Sequence, residues 1–502
     1  MPVMLSHLHI CRVTISDPGD EYHLSKQKYC TSKSEPPLDK GVIPWLGHAL
    51  EFGKDASKFL NRMKLKHGDI FTVRAAGRYV TVLLDPHSYD AVINDPESLD
   101  FTRYARVLME RIFSLRLPHH QPNTAKAMMR KHFMGVNLTT LNGTMSRHLR
   151  ALLTAEMPPN QKHWKDEGLF NFSYSLLFKA GYLVLFGGEQ NNNNSPDPSS
   201  VYEEYKKFDG LLTKLARGTL KPEEKRTAHR VQQRLWDLLA PAGLTEDSGS
   251  SLWLHGYRQL LKEEGADVDA QIKALLMQLW ATQGNVGPAA FWLLGYLLTN
   301  PEALIAVKKE FSHVSQAAAA AASETPLMDT PVVTPVFDSA LEEAMRLTAA
   351  PFITREVVQD KTIHLSDGHE YLLRKGDRVC LFPFISPQMD PEIHREPQTF
   401  KYDRFLNDDG SAKSAFYKRG RRVKYSSMPF GAGTNGCVGK KFAIHTIREF
   451  VYLMLTHYDL QLCDPNAQMP EVNASRYGFG MLQPEGDLRF RYKPRLTHKS
   501  FS

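Results

Sequence analysis

Four glycines crowd one cysteine in the stretch Pro429 to Gly439, "PFGAGTNGCVG": Gly431, Gly433, Gly436 and Gly439 flank Cys437. Glycine loses more conformational entropy on folding than any other residue, so this density implies backbone that bends tightly or approaches something closely. Behind the loop, Ala443, Ile447, Phe450, Val451 and Met454 recur at steps of three and four, as on a helix with one buried face. Cys437 is therefore expected just ahead of a helix N-terminus, where free N–H groups and the helix dipole stabilise a thiolate. Phe430 can shield it from water on one side. A thiolate held in this way is a good axial ligand for haem iron. By burial statistics alone, a free cysteine is more often a small buried hydrophobe.

The spacing F-x-x-G-x-x-x-C-x-G, met by Phe430, Gly433, Cys437 and Gly439, decides between the two readings. It resembles the signature loop of the haem-thiolate cytochrome P-450 family, whose cysteine is the iron ligand. Upstream, "LEEAMRL" supplies an E-x-x-R pair, Glu343 and Arg346. Glu223/Arg226 and Glu392/Arg395 fit the same bare pattern, and such i,i+3 pairs usually lie on a helix surface. Only Glu343/Arg346 is followed in order by "TAAPFITREV", "LRKGDRV", "FKYDRFL" and the cysteine loop.

The resemblance implies a mainly α fold with small β-sheets, in which haem b (iron protoporphyrin IX) lies between a long distal helix and the proximal cysteine loop. It also implies a buried ion network of Glu343, Arg346 and Arg404, and Arg355 on a haem propionate. Gly431 and Asn435 would complete the cradle around the cofactor. "TAKAMMRKHF" offers Lys126 or Arg130 as a second propionate ligand.

The distal helix speaks to the reaction. Monooxygenases of the family carry an acid-alcohol pair there to protonate iron-bound dioxygen. The matching segment, "LWATQGNVGPAAFWLL" (Leu279 to Leu294), retains the glycine as Gly284 but has Val286 and Gly287 at the paired positions, then Pro288. Pro288 is expected to kink the helix, and Asn285 to orient substrate by hydrogen bonding. "RLTAAPFITREVV" and "SRYGFGMLQPE" add Thr348 and Leu482 as expected substrate contacts.

These stretches, with "GVIPWLGHALEFGKDASKFLNRMKLKHGDIFTV" and "GRYVTVLLDPHSYDAV", resemble the family's endoperoxide-isomerase branch. The resemblance implies homolytic cleavage of the O–O bond of the prostaglandin H endoperoxide and rearrangement to prostacyclin. Neither dioxygen nor reductase is required. It admits a side activity as a fatty-acid hydroperoxide dehydratase. Sterol 12-alpha-hydroxylases share an Asn-x-x-Pro distal helix, so a reductase-dependent sterol or lipid monooxygenase is the alternative. A non-catalytic haem protein that binds a ligand is a third reading.

Other elements must hold these residues in place. The chain has 502 residues, 42% of them hydrophobic, enough for a large core. A formal charge of +7 is too mild for a nucleic-acid protein. Five scattered cysteines (Cys11, Cys30, Cys380, Cys437 and Cys463) with no C-x-x-C pair argue against a disulfide framework or structural zinc.

Residues 1–35 read as a flexible tail without a membrane anchor, and 36–502 as one domain, since no linker marks a boundary. A hairpin is expected around Ala76-Gly77-Arg78, helices over most of Pro86 to Ala303, and short strands from Phe352 to Pro387. "QNNNNSPDPSS" and "SQAAAAAASETP" read as surface loop and low-complexity insert. No stretch is expected to reach the eighteen or more apolar residues of a membrane span. The basic run "KRGRRVK" (Lys418 to Lys424) reads as a solvated face. The resemblance also implies a monomer in peripheral contact with the cytosolic face of the endoplasmic reticulum.

Overall fold

A computed structural model describes residues 34–117, 119, 121–158, 161–187, 196–244, 251–320 and 333–495. The expected tail, Cys11 and Cys30, and parts of both polar inserts lie outside these residues. The Ala-rich start of the second insert does not break the chain: it completes the helix Pro301–Ala320, because alanine is the best helix former.

The core is built around Leu169–Phe186, a helix apolar on nearly every side, with Phe172, Leu176, Leu177, Phe178 and Leu185 all buried. It packs along Val286–Thr299, whose Ala290, Phe291, Leu293 and Leu294 are likewise buried. A helix without a polar face must be covered all round. Among the described residues Leu169–Phe186 is the one unbroken helix long and apolar enough to cross a membrane, though its apolar run is interrupted by Asn171, Ser173, Ser175 and Lys179 and it lies mostly buried as a core helix.

The strands form a small platform beside the helices. Ile70–Ala75 and Arg78–Leu83 pair antiparallel across a turn at Ala76 and Gly77, both at positive φ (50° and 77°), as a two-residue hairpin turn requires. Arg78, expected in the turn, opens the second strand. Arg78–Leu83 then pairs in parallel with Arg378–Leu381, which pairs antiparallel with Ile353–Val357, the strand carrying Arg355. A second sheet, Tyr458–Leu462, Arg489–Pro494 and Lys165–Gly168, closes over the far end of the core helix.

The distal segment is interrupted one turn before the proline. Val268–Gln283 ends at Gly284, and a new helix, Val286–Thr299, begins after Asn285. Pro288 sits in the first turn of that second helix, where a missing N–H leaves nothing unsatisfied. Its absent donor would have served the Gly284 carbonyl, four residues earlier, so the ladder breaks there instead. Lys418 is also not solvated: it is buried and paired with Asp390 at 2.8 Å. Arg421 and Arg422 of the same run are exposed.

Buried histidines add a pH dependence. Burial pushes His394 down to about 3 and His445 down to about 4 from an ordinary 6.5. The unfolded chain takes up these protons below 6.5 and the folded one does not, so their contribution falls as pH drops from 6.5 towards 4. Replacing His445, whose Nε2 has no partner, with leucine is expected to flatten the melting temperature against pH in that window. A slope identical to wild type would refute this.

Candidate haem-thiolate site

Cys437 precedes the helix Lys440–His457, whose Ile447, Phe450, Val451 and Met454 are buried as expected, with Ala443 half-buried. The loop is wound by specific bonds. The Cys437 N–H donates to the Phe430 carbonyl at 2.9 Å, Gly436 to Gly433 at 3.1 Å and Gly431 to Met428 at 3.1 Å. Two of the four glycines are required by conformation: Gly431 and Gly433 have φ of +65° and +64°. A side chain on Gly433 would also strike Ile93 at 2.5 Å. Gly436 and Gly439 adopt ordinary φ, and Gly439 caps the helix.

Cys437 is exposed to solvent on one side; the protein packed against its other side pushes the thiol up, while the backbone N–H groups of Gly439 and Lys440 donate to its sulfur and pull its pKa down. A bound metal would complete the thiolate expected from the helix terminus, since a coordinating thiol is deprotonated outright. Lys440 also stands over the Phe430 ring at 5.5 Å, which holds that ring beside the cysteine.

The remaining residues fit a macrocycle bearing carboxylates. Arg355 is buried, stacked over Phe101 at 5.3 Å, and donates to the Thr354 carbonyl at 2.9 Å. No carboxylate pairs with it among the described residues. Lys126 lies close enough to feel it: burial first, then repulsion from Arg355 and Arg130, lowers the Lys126 pKa. Lys126 also donates to the Asn435 side-chain oxygen, which aims it at the cysteine loop. Arg130, one turn on, is exposed. A lysine repelled by two arginines and bonded to the loop of a soft sulfur ligand suits a metal macrocycle with acidic substituents.

The ion network lies behind this loop. Glu343 and Arg346 are fully buried and joined by two bonds, Nε to Oε2 at 2.7 Å and Nη2 to Oε1 at 2.9 Å. Arg404 Nε reaches both Glu343 oxygens at 2.9 and 2.8 Å. Arg346 Nη1 donates to the carbonyls of Gln388 and Pro397 at 2.6 and 2.7 Å. By contrast, Glu223/Arg226 is an exposed surface pair. Gln388 was not legible as a site residue. Its amide donates to the Arg346 and Ala349 carbonyls at 2.9 and 2.7 Å, and its oxygen accepts from Met428 at the head of the cysteine loop. A lone Gln in an apolar stretch, "FPFISPQMD", was the only signal.

On the distal side, Asn285 is half-buried and its Oδ1 accepts from the Met481 N–H at 3.0 Å. Gly284 has no room for a side chain, since a Cβ would sit 2.8 Å from the Trp280 carbonyl and 3.0 Å from the Tyr205 hydroxyl. Two residues expected as substrate contacts make bonds within the protein. Thr348 is fully buried and its hydroxyl donates to the Ala344 carbonyl at 2.6 Å. Leu482 is fully buried too, and its carbonyl accepts from Trp292 Nε1 at 2.7 Å. Both hold backbone in place, because a helix end and an irregular strap must satisfy their polar groups.

A cytochrome P-450 family model matches residues 259–490. The chain is 51% identical over 472 residues to the prostacyclin synthase of Rattus norvegicus, covering 92% of this chain and 94% of that protein. It is 50% identical over 471 residues to the prostacyclin synthase of Homo sapiens, with the same coverage. The chain belongs to the cytochrome P-450 family. It is also 41% identical over 469 residues to the human 7-alpha-hydroxycholest-4-en-3-one 12-alpha-hydroxylase, again over 92% and 94% of the two chains. Membership of the cytochrome P-450 family implies haem, and Cys437, Arg355 and Lys126 would hold it.

Proposed function

We propose that this chain is a haem-thiolate isomerase that converts the prostaglandin H endoperoxide to prostacyclin, with haem b as cofactor. The observation that carries this reading is the distal helix. Val286 and Gly287 stand where a proton-delivering pair would be needed, directly after Asn285. The nearest hydroxyl on that helix, Thr282, donates to the Gln278 carbonyl of its own helix at 2.8 Å. A substrate that already contains an O–O bond needs no protonation of dioxygen. Higher identity to prostacyclin synthases (51%) than to sterol 12-alpha-hydroxylases (41%) supports the same branch.

When bound, haem would supply a ferric iron able to give up one electron as the O–O bond breaks and to take one back as the product forms, so that no net redox change occurs. The chain's own residues do the rest. Cys437 would hold the iron and donate electron density to it. Arg355 and Lys126 would anchor the acidic edge of the macrocycle. Asn285 orients the bicyclic head, and the apolar distal wall excludes water. No reductase is needed, because the rearrangement involves no net redox change.

The chain acts as a monomer at the cytosolic face of the endoplasmic reticulum. Exposed Val42, Ile43, Trp45 and Leu50 near the start of the described residues supply apolar surface for peripheral contact.

Purified ferric protein given prostaglandin H endoperoxide, without NADPH or reductase, is expected to yield the stable hydrolysis product of prostacyclin. No product would overturn the reading. Turnover of a sterol only with a reductase would favour the hydroxylase, the second reading that an Asn-x-x-Pro distal helix admits.

A further inference from the structure

Asn285 is held by a strap, Gly478 to Leu482, that crosses the distal helix. The strap is pinned on one side to the end of the helix Pro335–Thr348. Leu482 donates to the Thr348 carbonyl at 2.8 Å, Ala350 to the Gly480 carbonyl at 2.9 Å, and Gly478 to the Ala350 carbonyl at 2.8 Å. On its other side the distal segment grips it at two points seven residues apart, hence on one face. Met481 N–H donates to Asn285 Oδ1 and Trp292 Nε1 donates to the Leu482 carbonyl.

A backbone N–H can only donate, so the atom of Asn285 that faces Met481 must be the oxygen. The two Nδ2 hydrogens are thereby turned away from the strap. No partner for them appears among the described residues. Gly480 makes this geometry possible. Its φ is +91°, and a Cβ there would stand 2.4 Å from Asn285 Oδ1, inside any real contact.

We infer that the strap is a positioning element for the reaction: Met481 locks Asn285 as a hydrogen-bond donor, and Gly480 leaves space for the locked carboxamide. The inference rests on the reading that Asn285 meets the endoperoxide. A peroxide linkage carries acceptors and no donor, so a donor is the group it requires. Gly480 touches neither substrate nor cofactor in this scheme and acts through Asn285.

The test is a double-mutant cycle on the haem-loaded enzyme, read as kcat/KM for prostaglandin H endoperoxide. Asn285→Ala and Gly480→Ala are each expected to lose about tenfold, the scale of one hydrogen bond. The double variant should lie within about twofold of Asn285→Ala alone, because Gly480 has nothing left to position. Asn285→Asp keeps an acceptor for Met481 but loses the donor, and should fall as far as Asn285→Ala.

Multiplicative losses in the double variant would overturn the inference, as would wild-type rates in Gly480→Ala or Asn285→Asp. If Gly480→Ala fails to fold, seen as a collapsed melting temperature, Asn285→Asp alone decides. An inactive wild type would instead overturn the functional reading on which the inference stands.

Discussion

Replacing Cys437 with serine is expected to abolish turnover, by at least about a thousandfold, or some 4 kcal/mol of barrier. The substitution exchanges one atom in a loop whose backbone bonds, from Cys437 N–H to Phe430 and from Gly436 to Gly433, remain intact. A serine hydroxyl does not ionise under conditions where a metal-bound thiol does, so the soft, electron-donating ligand is lost while the fold survives. The measurement is product formation from the endoperoxide alongside the absorption spectrum of the haem-loaded protein and its melting temperature. Loss of activity with a changed spectrum and an unchanged melting temperature is the expected result. A serine variant that retained full activity would refute the ligand assignment.

Removing Glu343 is expected to cost the most stability of any single change considered. Its carboxylate is the only negative partner of both Arg346 and Arg404 among the described residues, and the side chains of Glu343 and Arg346 are completely buried. Breaking a buried ion pair from one side leaves charge without compensation, at a cost of about 3–5 kcal/mol. That is a large part of the roughly 5–15 kcal/mol available to a folded domain. Glu343→Ala should therefore lower the urea midpoint sharply and reduce haem retention, since Arg346 also braces Gln388 against the cysteine loop. Glu223→Ala, which breaks the identical E-x-x-R spacing on the surface, is expected to shift stability by no more than about 1 kcal/mol. Similar effects of the two substitutions would defeat the distinction.

This contrast marks how far the residues alone could be read. Three E-x-x-R pairs are equal as patterns, and only the ordered segments after Glu343 singled it out. The helix behind Cys437 was legible because its apolar period is strong, and the hairpin because Ala76-Gly77 lies between two alternating runs. The distal break was expected from Pro288, and it falls one turn earlier, at Gly284, because the proline removes the donor that would serve that carbonyl. The bonds that Thr348 and Leu482 make were equally out of reach of the sequence. Their segments do border the distal side, yet their own polar groups are spent on the Ala344 carbonyl and on Trp292. Lys418, read from its basic run as solvated, is buried because Asp390, 28 residues away, neutralises it.

The sequence by itself determined the family and pointed to Cys437 as the cofactor ligand, because a cysteine loop and its helix are local, and local spacing carries their geometry. It also excluded a proton-delivering pair on the distal helix, since a missing side chain needs no structure to be noticed. Only the tertiary structure decided which way Asn285 presents its amide, that Lys126 rather than Arg130 turns towards Asn435, and that Gln388 couples the ion network to the cysteine loop. Each of these depends on a donor meeting an acceptor far away in the chain, and such meetings are set by packing rather than by spacing.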